Sequence, residues 1–342
     1  MQKTLALVDD PLFCEHHAPA GHPERPERLH AARAAIARTD FDLRRTDLAT
    51  RSASEDELLR VHHAQYLEQL GQAAGQVGYF DEDTFYSEQS VSAARAAAGA
   101  ALVITDVLLD GRADFGLALV RPPGHHARPS GAMGFCLLNN IAVAAAHARA
   151  RGVERVAIVD FDVHHGNGTQ EMFYTDPSLL FISLHQSPLY PGTGSAEENG
   201  ARDGRGYTIN VPLSPGAGDA AYGAAIERIV APVLESYQPG LLLFSAGFDA
   251  HSRDPLAQME LTDQGFRTLV QRTLAALRPG TPVGMTLEGG YDLLGLGSSL
   301  GAVLTGLGEG PVQNIPAERL WQAHERDLRA AAAVAAESWK LG

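Results

Sequence analysis

The sequence predicts an α/β fold built on a central parallel sheet flanked by helices. Two observations carry this. Short apolar runs alternate along the chain with longer Ala-rich stretches, the pattern of βα units whose strands are buried on both faces. Clusters of His, Asp and Tyr then follow directly on several of those runs, where open α/β sheets present ligands at their carboxyl edge.

The expected strands are residues 4–8, 115–120, 156–159, 179–184, 207–211, 241–244 and 283–287. Helices are expected at 92–109, closed by Gly111, at 141–151, closed by Gly152, and at 219–237, with Asp219 as N-cap. The Ala-rich stretch 316–339 reads as a terminal helix packed on the body. Neither a repeat of about 20 to 50 residues nor a low-complexity linker interrupts the pattern, so residues 1–342 read as a single domain.

Composition narrows the function. Hydrophobic residues make up 45% and charged residues 20% of the 342, ordinary globular usage that excludes disorder as the main state. The net charge of -14 shows no basic face for phosphates, which argues against nucleic acid; the acidity either serves solubility alone or favours a cationic substrate through long-range attraction. Only Cys14 and Cys136 are present, so a disulfide framework and a thiolate zinc cluster are both excluded and any metal must use His and carboxylate. The N-terminal run meets acid at Asp9 and Asp10 without a small-residue cleavage pattern, and no apolar stretch of about 18 residues is uninterrupted. A soluble cytoplasmic protein is expected, with no membrane partner.

The chemistry gathers at four strand ends. The run at 115–120 leads into Arg121-Pro122-Pro123-Gly124-His125-His126, and that at 156–159 into Asp160-Phe161-Asp162-Val163-His164. The runs at 241–244 and 283–287 lead into Ser245-Ala246-Gly247-Phe248-Asp249 and Glu288-Gly289-Gly290-Tyr291. In an extended backbone, residues two apart share a face, so Asp160, Asp162 and His164 point together while Phe161 and Val163 turn away. Asp249 from a neighbouring strand end completes an O/N/O tripod with the open position that a catalytic zinc needs for water.

These motifs together resemble the histone deacetylase family, which includes acetylpolyamine amidohydrolases and acetoin-utilisation proteins. The resemblance runs from Gly21-His22-Pro23-Glu24-Arg25-Pro26-Glu27-Arg28 through Gly134-Phe135-Cys136 to Glu288-Gly289-Gly290-Tyr291, nearly the whole chain. It implies a single arginase/deacetylase-like domain around a parallel sheet of about eight strands. It also implies a zinc-dependent amidohydrolase that removes acetyl or related short acyl groups from a cationic amine. By motif, Asp162, His164 and Asp249 match the ligands of one Zn2+ per chain. His125 and His126 match the tandem histidines that activate water and protonate the leaving amine, and Tyr291 matches the tyrosine that polarises the carbonyl; which histidine does which stays open. Gly289 and Gly290 are expected to give the tyrosine freedom to swing toward the metal.

Asp160 resembles the carboxylate that orients the first histidine. Asn167 stands where the class I branch has Asp, which should make His126 less basic and resembles class II, as do the Ala-Gly-Phe-Asp-Ala segment at 246–250 and Asp254-Pro255-Leu256. Gly134 and Phe135 resemble residues of the acyl-chain tunnel, Leu256 its gatekeeper, and Arg28 a residue of the cavity from which acetate leaves. A structural K+ or Na+ is implied at Asp160, Asp162, His164, Ser183 and Leu184. The segment from Ser183 to Gly194 departs from the usual class II pattern, which carries an aromatic tunnel wall nearby.

Acetyl-lysine side chains are the expected substrate, because the neutral Leu256 offers no carboxylate to the second ammonium of an acetylated polyamine, the alternative substrate. A catalytically dead acetyl-ligand module would have no use for a polarising hydroxyl, and an arginase-like dimanganese site would need more ligands. The other histidines, His16, His17, His62, His63, His147 and His251, read as surface or hydrogen-bonded residues, with His62 and Tyr66 packed on one helix. Asp81 and Asp83 read as a solvated loop or as a rim that captures substrate, and Cys136 as a buried filler. The oligomeric state is not legible.

Overall fold

The structure is a computed structural model that describes residues 2–312 and 320–341. In chain order the strands are β1 (Thr4–Val8), β2 (Arg44–Leu48), β3 (Gly78–Tyr79), β4 (Phe85–Tyr86), β5 (Phe115–Ala118), β6 (Val156–Asp160), β7 (Leu179–Gln186), β8 (Thr208–Leu213), β9 (Leu241–Ala246) and β10 (Val283–Leu287). Eight of them form one sheet in the order β2-β1-β5-β10-β9-β6-β7-β8, and β3 pairs with β4 in a separate ribbon. Every neighbouring pair in the large sheet is parallel, so each connection crosses over one face and helices cover both. This is the single α/β domain with an eight-stranded sheet that the sequence implied.

All seven expected strands are present, several extended by one or two residues, although β5 ends two residues early at Ala118 and β8 starts one residue late at Thr208. β1, β5, β6, β7, β9 and β10 are buried at every position, which is why they read as unbroken apolar runs. β2 was not expected. It is the edge strand Arg44-Arg45-Thr46-Asp47-Leu48, exposed along nearly its whole length, so no apolar signal marks it.

The helices depart from expectation in detail. Segment 219–237 is helical throughout, but its N-cap is Gly218, and Asp219 instead accepts hydrogen bonds from the backbone N and Oγ1 of Thr262. Ile226–Val230 widens to a π turn, because Pro232 has no N–H to offer the carbonyl one turn back. Of the expected terminal helix 316–339, Gln322–Ala335 is helical, while 316–319 lie outside the described residues. Helix Ser90–Leu109 is long and apolar enough by composition to cross a membrane, but Arg95 and Asp106 interrupt it and most of it is buried within the protein.

The topology positions the site. The four strands that end in His, Asp and Tyr motifs, β5, β10, β9 and β6, are consecutive in the sheet. Their loops therefore emerge side by side at one carboxyl edge.

Candidate active site

Asp162, His164 and Asp249 are buried together, and one potential ligand atom from each lies within 4.8 Å of the others. His164 Nδ1 stands 3.2 Å from Asp162 Oδ1 and 3.1 Å from Asp249 Oδ2. The carboxylates are held from behind: Val163 N–H donates to Asp249 Oδ1 at 2.8 Å and Gly289 N–H to Asp162 Oδ2 at 2.7 Å. Burial, and then the Asp162 carboxylate beside it, push the Asp249 carboxyl up to about 7. Burial opposes charge on His164 as well, but its hydrogen bonds to Asp162 and Asp249 outweigh that and raise it to about 10. The two buried carboxylates and the imidazole nitrogen together form a group that can hold a cation. A divalent ion with oxygen and nitrogen preference fits this donor set, as the Asp-x-His spacing suggested.

The glycines of the 288–291 loop correct an expectation. A Cβ on Gly289 would lie 2.1 Å from Asp249 Oδ2 and 2.6 Å from Asp162 Oδ2. At Gly289 glycine is required so that the backbone can approach the carboxylates, while the expected backbone freedom is used at Gly290, which holds φ at +121°. The loop is pinned: Arg28 donates through Nε to Gly290 O at 2.7 Å and through a second nitrogen to Glu288 O. Arg28, expected to line an internal cavity, is fully buried in these contacts and in an ion pair with Glu24.

Tyr291 packs its ring 6.0 Å from that of Phe135, with the Arg28 guanidinium 5.0 Å from its centroid. Burial pushes its hydroxyl well above the usual value, so it remains a proton donor. That hydroxyl makes no hydrogen bond to the described residues, although the side chain is 9% exposed.

The tandem histidines differ in their partners. His125 Nδ1–H donates to Asp160 Oδ2 at 3.0 Å, and its Nε2 faces Asp162 Oδ1 at 3.7 Å. Burial works against the charge, but Asp162 and Asp160 outweigh it and hold His125 well above the usual range. His126 Nδ1–H donates to Asn167 Oδ1 at 2.7 Å, which leaves Nε2 with a free lone pair. Burial, then the neighbouring His125 and His164, lower its affinity for a second proton. Asp160 and Asn167 are thus the Nδ1 partners of the two histidines.

Three residues without an expected role support this pair. Glu288 Oε2 accepts from the N–H groups of Gly124, at 2.6 Å, and His125, at 3.1 Å. Asn139 caps the helix Asn140–Ala150 through its oxygen and donates through Nδ2 to the carbonyls of His125 and Ala127. His62 accepts the Asn139 N–H at 3.0 Å. His62 therefore does not share a helix with Tyr66: it lies buried in the turn before Ala64–Gln72.

Gly134 and Phe135 border the site, and Phe135 holds φ at +68°, a strained value for a non-glycine residue. Leu256 is half-buried on the 250–258 loop. The segment from Ser183 to Gly194 nevertheless brings an aromatic side chain to the site: the Tyr190 ring stands perpendicular to that of His126 at 5.2 Å and 6.3 Å from that of His164. Spacing hid it, because the loop between His185 and Pro191 sets which side chain turns inward. Ser183 lies opposite Asp160 in the β6–β7 register, and its hydroxyl donates to His185 Nδ1, so its lone pairs stay open. Asp81 accepts from the N–H groups of Asp83 and Thr84, a role within its own loop. Cys136 is buried, and His16, His147 and His251 all have hydrogen-bond or ion-pair partners.

A profile of the Histone deacetylase domain matches residues 22–307. Histone deacetylase 15 of Arabidopsis thaliana is 43% identical over 302 residues, covering 86% of this chain and 54% of that protein. A Homo sapiens protein named Polyamine deacetylase HDAC10 is 40% identical over 320 residues, covering 88% of this chain and 45% of that protein. The chain thus spans about half the length of these two relatives. A crystal structure of the HDA15 HD domain superposes with a TM-score of 0.93 at 38% identity, over 99% of this chain and 96% of that one. The chain belongs to the histone deacetylase family of amide hydrolases.

Proposed function

We propose that this chain hydrolyses the amide of acetylated amines, with acetyl-lysine side chains as preferred substrate, and that Asp162, His164 and Asp249 hold one zinc ion. The observation that carries the reading is the buried Asp-His-Asp group, together with a tyrosine hydroxyl that has no hydrogen-bond partner among the described residues and a histidine whose Nδ1–H is taken by Asn167. A zinc ion bound there would supply an acidified water and polarise the acetyl oxygen. His126, its Nδ1–H fixed on Asn167, accepts the water proton at Nε2 and returns it to the departing amine. His125, between Asp160 and Asp162, keeps its proton and contributes positive charge where the oxyanion develops. Tyr291 donates its hydroxyl hydrogen to that oxygen. Phe135 and Tyr190 are the aromatic groups between which the substrate's methylene chain passes. Ser183, Leu184 and the backbone of Asp160, Asp162 and His164 form the proposed K+ or Na+ site.

Acetylated polyamines are the second reading, favoured by the similarity to a protein named a polyamine deacetylase. The test is a turnover comparison of one zinc-loaded preparation on an acetyl-lysine peptide and on acetylated polyamines. Higher kcat/KM on the peptide is expected; strong preference for the polyamines would overturn the substrate assignment, and no turnover of either would overturn the activity.

A further inference from the structure

Resting on the role proposed for Tyr291, we infer that Asp254 is a positioning residue whose single buried carboxylate fixes the backbone of Tyr291 against the tunnel-mouth segment at Leu256. Its side chain is 7% exposed. Oδ2 accepts from the N–H groups of Tyr291, at 2.6 Å, and Asp292, at 3.2 Å, while Oδ1 accepts from Leu256 N–H at 3.0 Å. Two loops that are remote in sequence therefore share one carboxylate. Asp254 is itself anchored, its N–H donating to His251 O at 2.8 Å. Asp292 continues the linkage by capping the helix Leu293–Glu309 through Gly295 N–H at 2.7 Å.

This matters for Tyr291 because of what holds the rest of its loop. Arg28 fixes the carbonyls of Glu288 and Gly290, and Asp162 fixes Gly289 N–H, so the backbone is anchored up to Gly290. Beyond that point Asp254 alone, among the described residues, holds the Tyr291 and Asp292 N–H groups with a side chain. The tyrosine hydroxyl sits at the far end of a long side chain, so a small tilt at its Cα is magnified there. A displacement of about 1 Å of a catalytic group can cost about 100-fold in rate. Asparagine cannot replace Asp254, since it has one oxygen and one amino group. Whichever way the amide turns, either Leu256 N–H or the Tyr291 and Asp292 pair faces another donor.

The test is a double-mutant cycle with Asp254→Asn and Tyr291→Phe, measured as kcat on an acetyl-lysine peptide alongside zinc content and thermal unfolding. Asp254→Asn is expected to lower kcat about 10- to 100-fold with zinc content unchanged. In the Tyr291→Phe background the same substitution is expected to change kcat less than about twofold, because the group it positions is gone. Equal fractional losses in both backgrounds, with Tyr291→Phe itself impaired, would overturn the role of Asp254 and leave that of Tyr291 standing. A near-parental Tyr291→Phe would overturn both, and an unimpaired Asp254→Asn would overturn the inference directly. Should Asp254→Asn not fold, Asp254→Ser enters the same cycle and is judged by the same outcomes.

Discussion

Replacing Tyr291 by phenylalanine removes one oxygen and leaves the ring between Phe135 and the Arg28 guanidinium. The hydroxyl bonds to no described residue, so its loss strands no buried partner, and a change in stability of no more than about 0.5 kcal/mol is expected. Zinc content should be unchanged, because the Asp162, His164 and Asp249 ligand atoms form a group without it. The rate should behave differently. A preorganised donor aimed at a developing oxyanion contributes about 2.7 to 4 kcal/mol, so kcat on an acetyl-lysine peptide should fall about 100- to 1000-fold. KM should move little, since the bond strengthens only as charge develops. Steady-state kinetics, elemental analysis and thermal unfolding on one preparation separate these effects. Near-parental turnover with full metal would refute the assignment of Tyr291; equal loss of stability and activity would reduce it to packing.

Three other outcomes are expected. Gly289→Ala brings a methyl into contact with both Asp162 and Asp249; overpacking of about 1 to 3 kcal/mol should appear as zinc affinity weakened about 5- to 150-fold, and parental affinity in a chelator competition would contradict it. Burial holds His62 down to about 4, from an ordinary 6.5, and its Nε2 is already occupied by Asn139 N–H. Its folded pKa is depressed, so its contribution, about 3 kcal/mol, is intact above pH 6.5 and lost as pH falls toward 4; His62→Gln should flatten urea stability across that window, and an unchanged slope would contradict it. Leu256→Glu should raise kcat/KM for acetylated polyamines relative to acetyl-lysine peptide about tenfold, or about 1.4 kcal/mol, and an unchanged ratio would sink the gatekeeper argument.

The sequence makes the buried strands legible because burial on both faces demands unbroken apolar runs, and it hides β2 because an exposed edge such as Arg44-Arg45-Thr46-Asp47 makes no such demand. Asp162 and His164 read together through strand periodicity, but β6 ends at Asp160 and both lie in the bent segment beyond it, where His164 N–H donates to Asp162 Oδ1. Asp249 joins them only through sheet order, which the motifs implied and the β9–β6 pairing supplies. Tyr190 and Asn139 were not legible as parts of the site, and Glu288 and Asp254 were legible only as members of motifs, since each acts through contacts between loops that no local period encodes. Gly289 was legible as special, but for the wrong reason: the sequence shows that a side chain is absent, and only the neighbouring carboxylates show why.

The most direct test of the central claim is a zinc titration of chelator-stripped protein, with bound metal and acetyl-lysine peptide turnover followed together. Turnover should rise with occupancy and saturate at about one ion per chain, and Asp249→Ala should neither bind at that site nor turn over substrate. Saturation at two adjacent ions, full turnover by the stripped protein, or an Asp249→Ala variant that binds and works like the parent would contradict it.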